Sequence, residues 1–209
     1  MSVLVQSDRE TAWQAFSESC RQCQQCSLST TRKNVVIARG RVPAPLMIIG
    51  EGPGADEDAQ GIPFVGAAGK LLNLLLFAFD LTDQDYHICN IVKCRPPQNR
   101  VPAPDEAAAC KPLLAQQFRL VQPRVIVLLG ATACQYFLGT KTGITKLRGQ
   151  WIEKNGYFIM PTFHPAYILR NNNERIRLWQ DIGLVRAKLE ELGFLQPLDD
   201  IPVMPRGRQ

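Results

Sequence analysis

The 209-residue sequence has no apolar run long enough to cross a bilayer and no basic-then-apolar segment at its N-terminus. A membrane-spanning helix and a secretory leader are therefore not expected, and the cytoplasm is the expected compartment. Both phosphate-binding fingerprints are missing, since neither GxGxxG nor GxxxxGK[ST] occurs. Internal repeats and low-complexity segments are absent too. Histidine is scarce, with only His87 and His164. Neither sign of charge dominates: the net charge of +5 is modest, although it favours a polyanionic partner. Cysteine is the exception to this plainness. Seven is an odd number and high for a reducing compartment, which points to metal binding or catalysis before disulfides. The length suits one domain with a sizeable core and, in the absence of other signals, a monomer.

The chain is organised around Gly50 to Gly69, GEGPGADEDAQGIPFVGAAG. Before it, Leu46 to Ile49 reads as a buried strand; after it, Lys70 to Ala78 is apolar and helix-forming. The stretch is thus expected to be a long turn at the carboxyl end of a strand, where open α/β sheets bind ligands. Gly50, Gly52 and Gly54 allow close approach of a ligand, and Pro53 stiffens the turn. Glu51, Asp56, Glu57 and Asp58 would repel a pyrophosphate. Together with Phe64 they suit a neutral, flat ligand.

Three further strands are expected, at Tyr86–Val92, Arg124–Gly130 and Tyr157–Phe163. Helices alternate with them: one opening at Asp105-Glu106, one at Ala131, and a last amphipathic one from about Glu174 to Leu192. The alternation implies a central four-stranded parallel sheet covered by helices on both faces. Ser7-x-x-Glu10 has the form of a capping box for a first helix reaching about Arg21. Thr140 to Gly149 reads as a polar loop, and the tail from Gly193 as loosely held. Strand ends then bring Glu51 to Phe64, Asn90, and His164 to Arg170 to one edge of the sheet. Cys23 and Cys26 form a C-x-x-C pair, which Cys20 extends to C-x-x-C-x-x-C. Cys94 stands at the end of the second strand, before a proline-rich loop, and Cys110 lies in the second turn of the helix that follows. Four thiolates can hold either zinc or a [4Fe–4S] cluster. Cys89 and Cys134 read as buried apolar residues.

GEGPGADED with GIPFVGAAGKLL, NIVKCRPPQNR, TFHPAYILRN and the frame Cys23-x-x-Cys26 … Cys94 … Cys110 occur in that order. With these motifs the chain resembles the family 4 uracil-DNA glycosylases over roughly residues 20 to 190. The resemblance implies a DNA repair enzyme that flips uracil out of DNA and hydrolyses its N-glycosidic bond. It also implies a [4Fe–4S] cluster on Cys23, Cys26, Cys94 and Cys110, since Leu28 and Arg32 stand at the family's spacing after the pair.

Under that resemblance the Asn90 amide pairs with O4 and N3–H of uracil, a pattern that cytosine reverses. Phe64 stacks on the flipped base, backbone at Gly52 lines its pocket, and Glu57 sits near C5 to exclude a thymine methyl. His164 donates to O2 as the base departs, while Glu51 holds a water and offsets charge on the sugar. Ile168 and Leu169 wedge into the base stack, and Arg170 with the lysines of 140–149 meets phosphates. Two alternatives stay open at this level. One is a binder of the related X class, trapping the sugar through His164, although Val65 to Gly69 lacks that class's basic insertion. The other is a non-catalytic iron–sulfur module of a DNA-processing assembly.

Overall fold

A computed structural model describes residues 6–200 and 202–204. The chain opens with α1 (Gln6–Arg21), which is already helical at Ser7, so the S-x-x-E sequence lies inside the helix and is not its cap. A two-residue strand β1 (Arg39–Gly40) precedes β2 (Leu46–Gly50). The glycine-rich segment is not all turn: α2 (Ala55–Gln60) folds inside it, and α3 (Ala67–Ala78) begins before Gly69. There follow β3 (Tyr86–Asn90), α4 (Pro104–Val121), β4 (Val125–Leu129) and α5 (Ala131–Leu138). A short helix, α6 (Ile144–Leu147), interrupts the segment expected to be a polar loop. The chain continues through β5 (Ile152–Lys154), β6 (Tyr157–Thr162), α7 (Pro165–Arg170) and α8 (Arg175–Glu191).

The sheet runs β1-β3-β2-β4-β6-β5. Its centre is the expected parallel set, β3-β2-β4-β6. The two edges correct the expectation of four strands, because β1 and β5 add on antiparallel and make the sheet mixed and six-stranded. All residues of β2, β3 and β4 are buried, as parallel strands covered on both faces must be. Alternate residues face two cores. Leu46 and Ile48 pack with Leu72 and Leu76 of α3 and Leu178 and Ile182 of α8. Met47 and Ile49 pack on the other side with Leu114 of α4 and Ala133 of α5.

Register decides what meets at the carboxyl edge. Gly50 pairs with Asn90, and Leu129 with Thr162. The end of β6 is held by a buried polar knot: Thr162 Oγ1 donates to Asp181 Oδ2 at 2.5 Å, and the Arg148 guanidinium grips the same carboxylate. At the start of the tail Arg186 Nη2 donates to the carbonyl of Gln196 at 2.7 Å and Leu195 packs on the core, while residues 201 and 205–209 of that tail lie outside the described residues. Among the described residues no helix is long and apolar enough to cross a membrane.

Candidate active site

At the carboxyl edge of the sheet lies a cleft of about 560 Å³, lined among others by Glu51, Gly52, Glu57, Phe64, Asn90, Thr132, His164 and Arg170. Its floor is a close convergence that only glycine permits. A Cβ on Gly50 would stand 2.5 Å from Asn90 Oδ1 and 2.6 Å from Phe64 Cζ. Phe64 itself takes a left-handed backbone, φ 57°, and its carbonyl would meet a Cβ on Gly69 at 1.9 Å. The ring of Phe64 lies 5.8 Å from that of His164, inclined by 31°. Asn90 is 2% exposed, yet its amide oxygen accepts no hydrogen bond from the described residues. A buried acceptor left unpaired costs about 1–3 kcal/mol, so such an atom marks a place for a donor from outside the fold.

Three of the four carboxylates of the acidic stretch divide by task. Glu57 accepts from three backbone amides, Gly54 N at 3.0 Å, Val65 N at 3.0 Å and Gly66 N at 2.9 Å. It therefore clasps the two ends of the loop around α2 while lining the cleft. Asp58 is 2% exposed and accepts from the amides of Lys33 and Asn34, tying α2 to the N-terminal segment. Glu51 faces the cleft, where Thr132 Oγ1 donates to its Oε2 at 2.5 Å. Thr132 is given no functional role by the sequence, although it stands at the start of α5, just beyond the carboxyl end of β4, where the strand-end rule directs attention.

His164 caps α7, its Nδ1 accepting from the Ala166 amide at 3.1 Å. An accepting Nδ1 leaves the proton on Nε2. Burial, aided by the positive charge of Arg170 and opposed by Glu57, pushes its pKa down to about 4. The ring is therefore neutral at pH 7 and can donate through Nε2–H. His87 serves elsewhere: it is fully buried between Gln117 and the carbonyl of Arg41, and burial pushes its pKa down to about 3.

The apolar pair after His164 splits. Ile168 is 3% exposed and belongs to the core, so it is not a wedge available to DNA. Leu169 is 52% exposed, and Arg170 is exposed at the cleft. The split follows from α7 being a helix, in which adjacent residues point about 100° apart.

Cys23, Cys26, Cys94 and Cys110 all line one small cavity, together with Cys20, Arg32 and Lys93. They arrive from α1 and its trailing loop, from the loop after β3, and from α4. Arg32 donates to Cys94 Sγ at 3.2 Å. Lys93, 1% exposed, donates to the carbonyl of Asn90 at 2.8 Å and so joins this cavity to the cleft. Burial pushes the Cys20 thiol up to about 12 and Cys110 up to about 11. Among the described residues, no three His, Cys, Asp or Glu side chains gather so as to hold a metal ion. Cys89 and Cys134 are buried in the apolar core, as their strand and helix positions imply.

A doubly wound sheet with an aromatic ring, an unpaired amide and a neutral imidazole at its carboxyl edge is a setting for recognising and acting on a flat polar ring. The model of the uracil DNA glycosylase superfamily matches residues 37–183. The type-4 uracil-DNA glycosylase of Thermotoga maritima is 43% identical over 189 residues, covering 88% of this chain and 98% of its own length. That of Saccharolobus solfataricus is 40% identical over 183 residues, 83% and 85% of the two chains. That of Sulfurisphaera tokodaii is 40% identical over 180 residues, 82% of each. The chain belongs to the type-4 uracil-DNA glycosylases of this superfamily.

Proposed function

We propose that the chain is a monofunctional uracil-DNA glycosylase of DNA repair, a single-domain monomer that hydrolyses the N-glycosyl bond of flipped uracil and leaves an abasic site. The observation that carries this reading is the unpaired, buried amide oxygen of Asn90 beside the Phe64 ring. Uracil brings the matching donor, N3–H, while the amide NH₂ meets O4; cytosine presents an acceptor at N3 and is refused. Phe64 stacks on the base, and the clasped Glu57 loop closes the pocket on the side of C5.

Cleavage places negative charge on the departing uracil and positive charge on the sugar. A neutral His164, its Nδ1 occupied by Ala166, directs Nε2–H at O2 and stabilises that anion without first having to lose a proton. Glu51, fixed by Thr132, holds the water at the sugar and offsets the developing cation. Leu169, not Ile168, fills the gap left by the flipped nucleotide, and Arg170 meets a phosphate.

Cys23, Cys26, Cys94 and Cys110 would hold a [4Fe–4S] cluster. Thiols converging from separate segments beside Arg32 and Lys93 suit thiolates spread over the corners of a cluster. Zinc sites commonly pair one C-x-x-C with another, whereas here the second pair, Cys94 and Cys110, is widely split in sequence. Bound there, the cluster would brace the fold by cross-linking those segments. The test of the function is incubation with a uracil-containing oligonucleotide. Alkali-labile breaks at uracil are expected, and none at cytosine or thymine; an intact strand would refute the activity.

A further inference from the structure

A second groove lies on the far side of the molecule, and the glycosylase reading makes no use of it. It measures about 450 Å³ and runs between α4, α5 and the β5–β6 hairpin. Its floor is apolar: Leu114, Ile126 and Ile159 are buried, and Phe118 meets Tyr157 edge-on at 5.0 Å. Its rim is cationic. Lys111 and Arg119 stand at its two ends on α4, and Lys154 stands across from them on the hairpin. All three are exposed, no carboxylate lines the groove, and none of the three makes an ion pair among the described residues.

Length and charge together select the occupant. The α4 positions that line the groove run from Lys111 to Arg119, about 12 Å of helix, longer than one ring and suited to a stretch of peptide. An apolar trough between like charges complements a bulky apolar side chain flanked by acids. Placement leaves the cleft free. Ile126 and Ile159 lie three residues before Leu129 and Thr162 in register, so the groove opens toward the amino-terminal edge of the sheet while the cleft opens at the carboxyl edge. We infer that this groove docks an acidic peptide segment of a partner protein, anchored by an aromatic or large aliphatic side chain, while DNA is engaged at the opposite edge.

The experiment uses fluorescein-labelled Asp-Glu-Phe-Leu-Glu-Asp with the full-length protein, read by anisotropy at two salt concentrations. Saturable binding that weakens with salt is expected. Lys111→Glu and Lys154→Glu should each weaken it about tenfold. Ala115 is exposed in the groove, so Ala115→Trp should plug it without disturbing the core. All three variants should melt like the parent and excise uracil at the parent rate, which separates this proposal from the glycosylase reading. Any of four results would overturn it. These are no binding up to about 1 mM, equal binding of Asp-Glu-Ala-Ala-Glu-Asp, equal binding of Lys-Arg-Phe-Leu-Arg-Lys, or concentration-dependent self-association abolished by the same variants. The last would make a second copy the occupant.

Discussion

The cleft and the cysteine cavity are neighbours joined by Lys93, but they are built on opposite plans. In the cleft, apart from the open amide oxygen of Asn90, the key side chains are fixed by hydrogen bonds from within the fold. Glu57 is clasped by three amides, His164 by Ala166, and Glu51 by Thr132. In the cavity, sulfur atoms from separate segments are brought together largely by packing, with Arg32 donating to Cys94. The cleft is thus preorganised by the protein itself, whereas the cavity assembles sulfur donors, of which burial pushes Cys94 and Cys110 away from the thiolate form that ligation needs. Substitutions in the two places should therefore fail differently, one set in rate and the other in stability.

The largest effect is expected at the cavity. Protein purified without air should carry about four iron and four sulfide per chain. Replacing Cys23, Cys26, Cys94 or Cys110 by serine should remove both and lower the melting temperature sharply, because ligation is then lost from folding. Cys89→Ser and Cys134→Ser should keep the iron, since those thiols lie in the core. Cys20 sharpens the comparison: it lines the same cavity, so Cys20→Ala keeping full iron would assign it to packing. Stoichiometric zinc would refute the cluster.

Next comes His164→Ala, where losing a donor aimed at the leaving group should cost about 10²–10³-fold in single-turnover rate with substrate affinity little changed. The pH profile carries a second mark of the same residue. His164 has a folded pKa of about 4 against an ordinary 6.5, so Nε2–H stays available and His164 should impose no fall in rate between pH 8 and pH 5. Stability behaves otherwise. Between those two values the unfolded chain binds the extra proton, so the stability due to the neutral ring is complete above pH 6.5 and declines as pH falls toward 4. The slope is at most about 1.4 kcal/mol per pH unit. His87, with its pKa of about 3, adds to the decline with no effect on chemistry. Thermal melts of His87→Gln and His164→Gln against pH should each be less steep than the parent. An unchanged slope in either variant would mean that ring is not held neutral.

Glu57→Ala should give a smaller loss. Three amides would lose a charged acceptor, at about 2–3 kcal/mol in all, and the loop around α2 would open. The clasp seen in the structure revises the view of Glu57 as chiefly a guard near C5. Its replacement should slow uracil excision along with any relaxation toward thymine, and an unaltered melting temperature would contradict the clasp.

These contrasts also explain what could be read in advance. The four parallel strands were legible because strands covered on both faces are nearly continuous apolar runs, and their ends brought Asn90, Glu51 and His164 together by topology alone. β5 was missed although Asn155-Gly156 is a hairpin signal, and both residues do take positive φ, 52° and 79°. Three glycines hid α2, whose cap is one of them and whose third residue, Glu57, supplies the clasp. That Ile168 is core and Leu169 exposed depends on which face of α7 meets the sheet, and the dipeptide carries no record of it. The roles of Phe64 and the cysteine frame came from resemblance; composition pointed only to a metal or a flat ligand.

The smallest effect tests the cleft's plan at its least obvious member. Thr132 Oγ1 lies 2.5 Å from Glu51 Oε2, at the start of α5 and across the cleft from the loop that carries Glu51. If Glu51 acts on water at the sugar, this hydroxyl is a positioning residue: it fixes which carboxylate oxygen faces the reacting carbon and which is already occupied. Thr132→Val keeps the shape and removes the donor. Losing one hydrogen bond of about 1–1.5 kcal/mol should slow the chemical step about tenfold. Thr132→Ser, which keeps the hydroxyl, should restore most of the rate. Substrate affinity should be unaffected, and Glu51→Gln combined with Thr132→Val should be no slower than Glu51→Gln alone, because the hydroxyl acts through the carboxylate. A full additional loss in the double variant would place Thr132 in direct contact with the substrate instead.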